Sequence, residues 1–149
     1  MDYIRKINDL IGSNIDRDNV QYILDFVLLW NLFELRYCDK NCTKNKIENL
    51  NYWDISNLNW VFDYFKDRYI NNSEKFNNLN FESCLKNIIK DNLSNWTDKE
   101  KTILHIIYRF RNNMFHWEKE IYNIEWQEEN FENANKFLYE LLKNNFSSN

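Results

Sequence analysis

The chain is 149 residues long, enough for one domain with a real core, and its 17% aromatic content is far above that of a disordered segment. A net charge of −4 and a pI near 5.2 argue against a nonspecific polyanion binder, which is normally basic, while leaving room for a small local basic site. One glycine and no proline leave few residues suited to tight turns, so a hairpin-rich β fold is disfavoured and helices joined by polar loops are expected.

In chain order, a short helix is expected over Tyr3–Ile11, stopped by Gly12. A second, over 19–37 with Asp18 as N-cap, carries Val20, Ile23, Leu24, Val27, Trp30 and Phe33 at helical spacing. The longest apolar stretch, 22–33, is interrupted by Asp25 and Asn31 and is too short to span a bilayer, so no membrane association is expected. Residues 39–51 read as a polar loop with a helical turn. The three cysteines are odd in number, and Met1-Asp2-Tyr3 lacks a basic segment followed by an apolar run. A reduced, cytoplasmic protein is the expectation. Cys38-x3-Cys42 has neither a second pair nor a nearby histidine, so no metal is expected.

A third helix is expected over 57–70, with Leu58, Val61, Phe62, Phe65 and Tyr69 as its apolar side, then a polar connection over 71–80 and a helix over 81–93. Thr97-Asp98-Lys99-Glu100 has the form of a capping box, which would start a helix running through His116 to about residue 120. The last helix, over 128–145, turns Phe131, Ala134, Phe137, Leu138, Leu141 and Leu142 inward. The late acidic residues, from Glu118 to Glu132, read as a solvated face. The sum is a single domain, an all-α bundle of five or six helices.

The most informative stretch is Tyr108-Arg109-Phe110-Arg111-Asn112-Asn113-Met114-Phe115-His116, which sets one of only two histidines five residues after an arginine. Arginine recognises phosphate as a fixed cationic fork, and histidine moves protons near neutral pH. On an α-helix, Ile103, Ile107, Phe110, Met114 and Trp117 form a core stripe. His105, Arg109, Asn112 and His116 fall opposite, within roughly 60° of one another, and Arg111 lies on the flank, ~140° from His116. Such a face is either a solvated polar surface or a site for metal-free RNA cleavage. In that chemistry a base takes the 2′-hydroxyl proton, an acid protonates the leaving 5′-oxygen and a cation stabilises the phosphorane. One histidine makes one proton transfer at a time, so a two-fold dimer supplying two motif helices is mechanistically attractive.

Arg111-Asn112-Asn113-Met114-Phe115-His116 resembles the Arg-x4–6-His signature of HEPN domains, including the polar residue after the arginine. Trp30-Asn31-Leu32-Phe33-Glu34-Leu35-Arg36-Tyr37 is similar to the Trp-x-x-Phe-Glu-x-x-Tyr pattern on an earlier helix of several HEPN subfamilies. The resemblance implies a HEPN-like helical bundle that dimerises with both motif copies facing a shared cleft. It also implies a metal-independent endoribonuclease, needing no cofactor, that acts as a toxin or as an antiphage or abortive-infection effector. A cognate antitoxin or inhibitor protein would be a further partner. By residue, the catalytic set falls on Arg111, His116 and Asn112.

Helical geometry alone puts Arg109 beside His116, and Arg109-x6-His116 also fits the looser signature, so Arg109 is expected as a second phosphate ligand. Trp117 is a candidate substrate or dimer contact, and His105 could assist at the site or be a surface histidine. Glu34, near the apolar side of its helix, needs a partner and could hold Arg109 or Arg111, or serve an ordinary structural ion pair. The family's modifiable tyrosine, two positions after the histidine, is replaced by Glu118, with Tyr122 the next one available. Two other readings stay open: a non-catalytic HEPN-like interaction module, and a nucleotide-binding accessory of a nucleotidyltransferase.

Overall fold

The computed structural model describes residues 2–51, 58–116 and 127–146, of which 114–116 and 144–146 as backbone only. Among these residues there are eight helices and no strand: α1 (Tyr3–Ile11), α2 (Arg17–Tyr37), α3 (Lys44–Asn49), α4 (Asn59–Ile70), α5 (Ser73–Asn78), α6 (Ser83–Asn95), α7 (Lys99–His116) and α8 (Glu128–Phe146). The chain is all-α. The count exceeds five or six because the polar stretches before α4 and α6 each hold a six-residue helix. Thr43 caps α3 by accepting from the Lys46 N–H at 3.2 Å, and Asn72 caps α5 by accepting from Lys75 at 3.0 Å. Buried Ile47 anchors the first, and buried Phe76 and Leu79 the second.

Capping chemistry also moves two helix starts. At α2 the cap is Asp16 rather than Asp18: its carboxylate accepts from the Asn19 N–H at 2.8 Å and the Asn19 side chain accepts from the Asp16 N–H. At α7 the expected capping box does not form: Asp98 adopts a left-handed φ of 45° and stays outside the helix, and the Thr97 hydroxyl donates to Asn92 Oδ1 at 2.9 Å. The helix begins two residues later, where the Asp98 carbonyl accepts from the Thr102 N–H at 2.8 Å. Gly12 ends α1 as expected, in the left-handed region at φ 66°, with its N–H on the Asn8 carbonyl at 2.8 Å.

Helices α2 and α8 run parallel. Three contacts in rising register show it: Asn19 on Glu128, Asn135 on the Tyr22 carbonyl, and the Tyr37 hydroxyl on the Leu141 carbonyl. Phe26, Phe110 and Phe131 join α2, α7 and α8 in an aromatic triangle with centroids 5.1–5.6 Å apart. Phe26 takes the inward position on α2 together with Trp30 and Phe33. Leu24, expected inward, is 49% exposed and shares the outer side of α2 with Leu28, Leu32 and Leu35.

The larger difference concerns α7. Thr102, Ile103, Leu104, His105, Ile106 and Ile107 are all buried, so this helix is enclosed on every side over that span rather than amphipathic. Helices α3, α4 and α6 pack around it. No helix among the described residues is long and apolar enough to cross a membrane.

Candidate functional site

Beyond Ile107 one side of α7 emerges from the core and forms the wall of a cleft of about 540 Å³. His105, Tyr108, Arg109 and Asn112 line that wall. Asn80, Phe81 and Glu82 line it from the α5–α6 connection, Leu85 from the first turn of α6, and Lys44 from the first turn of α3. The row expected from helical spacing thus runs along one cleft. The α7 backbone stays helical through position 116, the next step of that row. The His116 side chain and all of Trp117, Glu118 and Tyr122 lie outside the described residues.

Arg109 is fixed in the wall: its Nε donates to the Leu79 carbonyl at 2.6 Å. Leu79 is buried and Asn80, next along, adopts a left-handed φ of 55°, so the α5–α6 turn is shaped to present that carbonyl. Lys44 Nζ pairs with Glu82 Oε1 at 2.5 Å. This contact, with Arg109 adding to it, holds the Glu82 carboxyl below its ordinary range. The cleft therefore carries two cations and one carboxylate, a balance suited to an anionic group.

His105 differs from the surface position that helical geometry assigns it, because α3 covers it. Its Nε2 lies 2.6 Å from Glu48 Oε1, and Glu48 also pairs with Lys101 at 3.4 Å. The imidazole is 2% exposed, and burial pushes its pKa below 6.5, with Glu48 only partly opposing. Burial works to raise Glu48, but the His105 and Lys101 contacts outweigh it and hold that carboxyl low. At neutral pH His105 is an uncharged imidazole donating Nε2–H to a carboxylate. Its Nδ1 is buried with no hydrogen-bond partner among the described residues.

Arg111 faces away from the cleft, toward α2. Its Nη2 lies 3.9 Å from Glu34 Oε1, and Glu34 also accepts from the indole N–H of buried Trp30. Arg111 Nη1 donates to Asn112 Oδ1 at 2.9 Å. Asn112 thus links the two sides: it lines the cleft and ties back to the Glu34–Arg111–Trp30 cluster. The structure brings His105, Arg109 and Asn112 together in the cleft, and separately joins Arg111 to Glu34.

Lys44, Asn80, Phe81, Glu82 and Glu48 were not foreseen as site or partner residues. They come from stretches that read as polar connections or as the start of α6, and nothing local marks a lysine or glutamate that becomes a neighbour across 30 to 60 residues of chain. Among the described residues no three His, Cys, Asp or Glu side chains gather in a group able to hold a metal ion. Compared with known family models, curated proteins and solved structures, the chain shows no significant match.

Proposed function

We propose that this chain is a metal-independent endoribonuclease of the HEPN type, acting on single-stranded RNA as a toxin or antiphage effector. The reading rests on the Arg111-x4-His116 pattern. One structural observation supports it above others: α7 carries Arg109 and Asn112 along the wall of a cleft and continues unbroken to position 116. In this reading Arg109 contacts the scissile phosphate from the cleft wall, Arg111 reaches a phosphate only where a dimer completes the site on its own side of α7, Asn112 ties the two sides together through Arg111, and the His116 imidazole transfers the proton. The substrate 2′-hydroxyl attacks the adjacent phosphorus, the 5′-oxygen leaves, and the product ends in a 2′,3′-cyclic phosphate. A homodimer would set two motif helices around one phosphate and supply both the base and the acid.

The test is incubation of wild type and His116→Ala with labelled single-stranded RNA in EDTA. Wild type is expected to cut and leave cyclic-phosphate ends, and His116→Ala to lose at least ~100-fold in rate, the usual contribution of a general acid or base. A folded His116→Ala protein that cuts as fast as wild type would sink the proposal.

A second reading, a non-catalytic module that binds a phosphate-bearing ligand, is favoured by one observation. Arg111 is held by Glu34 and His105 by Glu48, so two polar groups of the motif helix already serve intramolecular contacts. No cleavage by wild type, together with ATP binding that is lost in Arg109→Ala, would select this reading.

A further inference from the structure

Cys38 and Cys42 sit side by side where α2 gives way to α3. Cys38 is the C-cap of α2, its N–H on the Glu34 carbonyl at 3.0 Å, and Cys42 directly precedes Thr43, the cap of α3. Both thiols are free and buried, and their Sγ atoms lie 2.7 Å apart. That is only about 0.7 Å beyond the length of a sulfur–sulfur bond. The turn between them, Asp39-Lys40-Asn41, is exposed, with left-handed φ values of 47° and 73° at Asp39 and Lys40. It is closed by the Asn41 N–H on the Cys38 carbonyl and clasped from outside by Lys46 Nζ, which donates to the Cys38 carbonyl at 2.6 Å and to that of Asn41 at 2.8 Å.

We propose that Cys38 and Cys42 are a reversible thiol–disulfide pair, a redox modification site oxidised by a low-molecular-weight disulfide. The buried pair is reached when the exposed three-residue turn opens, and burial keeps it from reacting with other protein thiols. The contact with Cys42 holds the Cys38 thiol below its ordinary range, while the same contact and burial push Cys42 up, so Cys38 supplies the attacking thiolate. It attacks one sulfur of the small disulfide RSSR, forming Cys38–S–S–R and releasing RS⁻. The negative charge that held the Cys42 proton is then gone. Cys42 yields its proton to the released thiolate, attacks the Cys38 sulfur and expels the second RS⁻, which takes from water the proton that Cys38 gave up on becoming the thiolate. Two protein thiols become one disulfide, and one small disulfide becomes two small thiols.

The bond would staple two elements that each hold part of the cleft machinery. One turn before Cys38 is Glu34, which holds Arg111; directly after Cys42 comes α3, which carries Lys44 and the Glu48 that holds His105. The inference stands on the thiol geometry and does not depend on RNA cleavage.

The test uses the full chain with Cys84→Ser, which removes the exposed thiol, equilibrated in graded ratios of oxidised to reduced glutathione. After acid quenching, unfolding and alkylation, mass spectrometry counts free thiols. A two-thiol species should convert to one with none, carrying a Cys38–Cys42 peptide link. Half-conversion should need at least ~10-fold less oxidant than the same chain unfolded in guanidinium chloride, because the fold holds the sulfurs together. Cys42→Ser should stall with glutathione on Cys38. Conversion that needs as much oxidant as the unfolded chain, or that stops at glutathione adducts with both cysteines present, would overturn the proposal.

Discussion

Glu34 accepts from one donor and pairs with another at a position only 15% exposed: the Trp30 indole and the Arg111 guanidinium. Truncating it leaves a buried N–H without an acceptor, so Glu34→Ala should lower stability by about 1–3 kcal/mol in denaturant titrations. Glu34→Gln, which keeps an acceptor, should recover most of that loss; equal losses for both would show that the charge alone matters. At His105 the consequence is a pH dependence. The folded chain holds the imidazole pKa below 6.5, so above that pH His105 is neutral in both states and adds no pH dependence. As pH falls below 6.5 the unfolded chain takes up a proton that the folded chain resists, and stability drops with a slope of up to ~1.4 kcal/mol per pH unit. Thermal unfolding between pH 7.5 and 5.5 should show this slope in wild type and lose most of it in His105→Gln. Glu48, held below 4.5, acts in a separate window: its contribution is present above that pH and is lost as pH falls through the lowered value. The need of Glu34 for a partner was legible in the sequence, from a carboxylate beside an apolar stripe. The choice between Arg109 and Arg111 was not, since it depends on which side of α7 meets α2.

Helix α1 has no fully buried residue; Tyr3, Ile7 and Leu10 are exposed on it, Ile4 and Ile11 are half-buried, and among the described residues its polar ties include the Asn8 contacts with Ser13 and Ile15 and an exposed Asp2–Arg17 pair. Removing residues 2–11 should therefore change stability by about 1 kcal/mol or less, with the remaining helical signal intact. A larger loss in circular-dichroism melts would mean that α1 is covered in solution. The connections carry the mark of a chain with a single glycine: Asp39, Lys40, Asn80, Trp96 and Asp98 all adopt positive φ. Trp96 is held there because its ring packs edge-on to Phe62 at 5.0 Å under the Lys99 amine at 4.5 Å. Aromatic packing stabilises a backbone conformation that sequence rules reserve for glycine or asparagine, which is why the end of α6 lay two residues beyond its expected place.

At the scale of the molecule, α7 is the element around which α3, α4 and α6 assemble, and its Phe110 completes the triangle with α2 and α8. A chain built on one enclosed helix should unfold in one step, with calorimetric and van't Hoff enthalpies equal. Phe26→Ala, which opens the triangle, should lower stability by about 3–5 kcal/mol by shifting that single transition. Its splitting into two would show that α2 and α8 melt apart from the α7 core.

Helical periodicity determined the all-α class and named Val61, Phe62, Phe65, Tyr69 and the inward residues of α8 correctly, because spacing along one helix is a local property. It also placed His105, Arg109 and Asn112 on one row, and that row does line a cleft. Only the tertiary structure decided that the first of the three is covered by α3 and paired with Glu48, that Arg109 leans on the α5–α6 turn, and that Arg111 belongs to Glu34. Which neighbour covers a polar face is fixed by packing between distant segments, and a pattern within one helix carries no information about it. The same holds for the thiols: the spacing of Cys38 and Cys42 was plain, but their contact depends on the turn that α2 and α3 enforce.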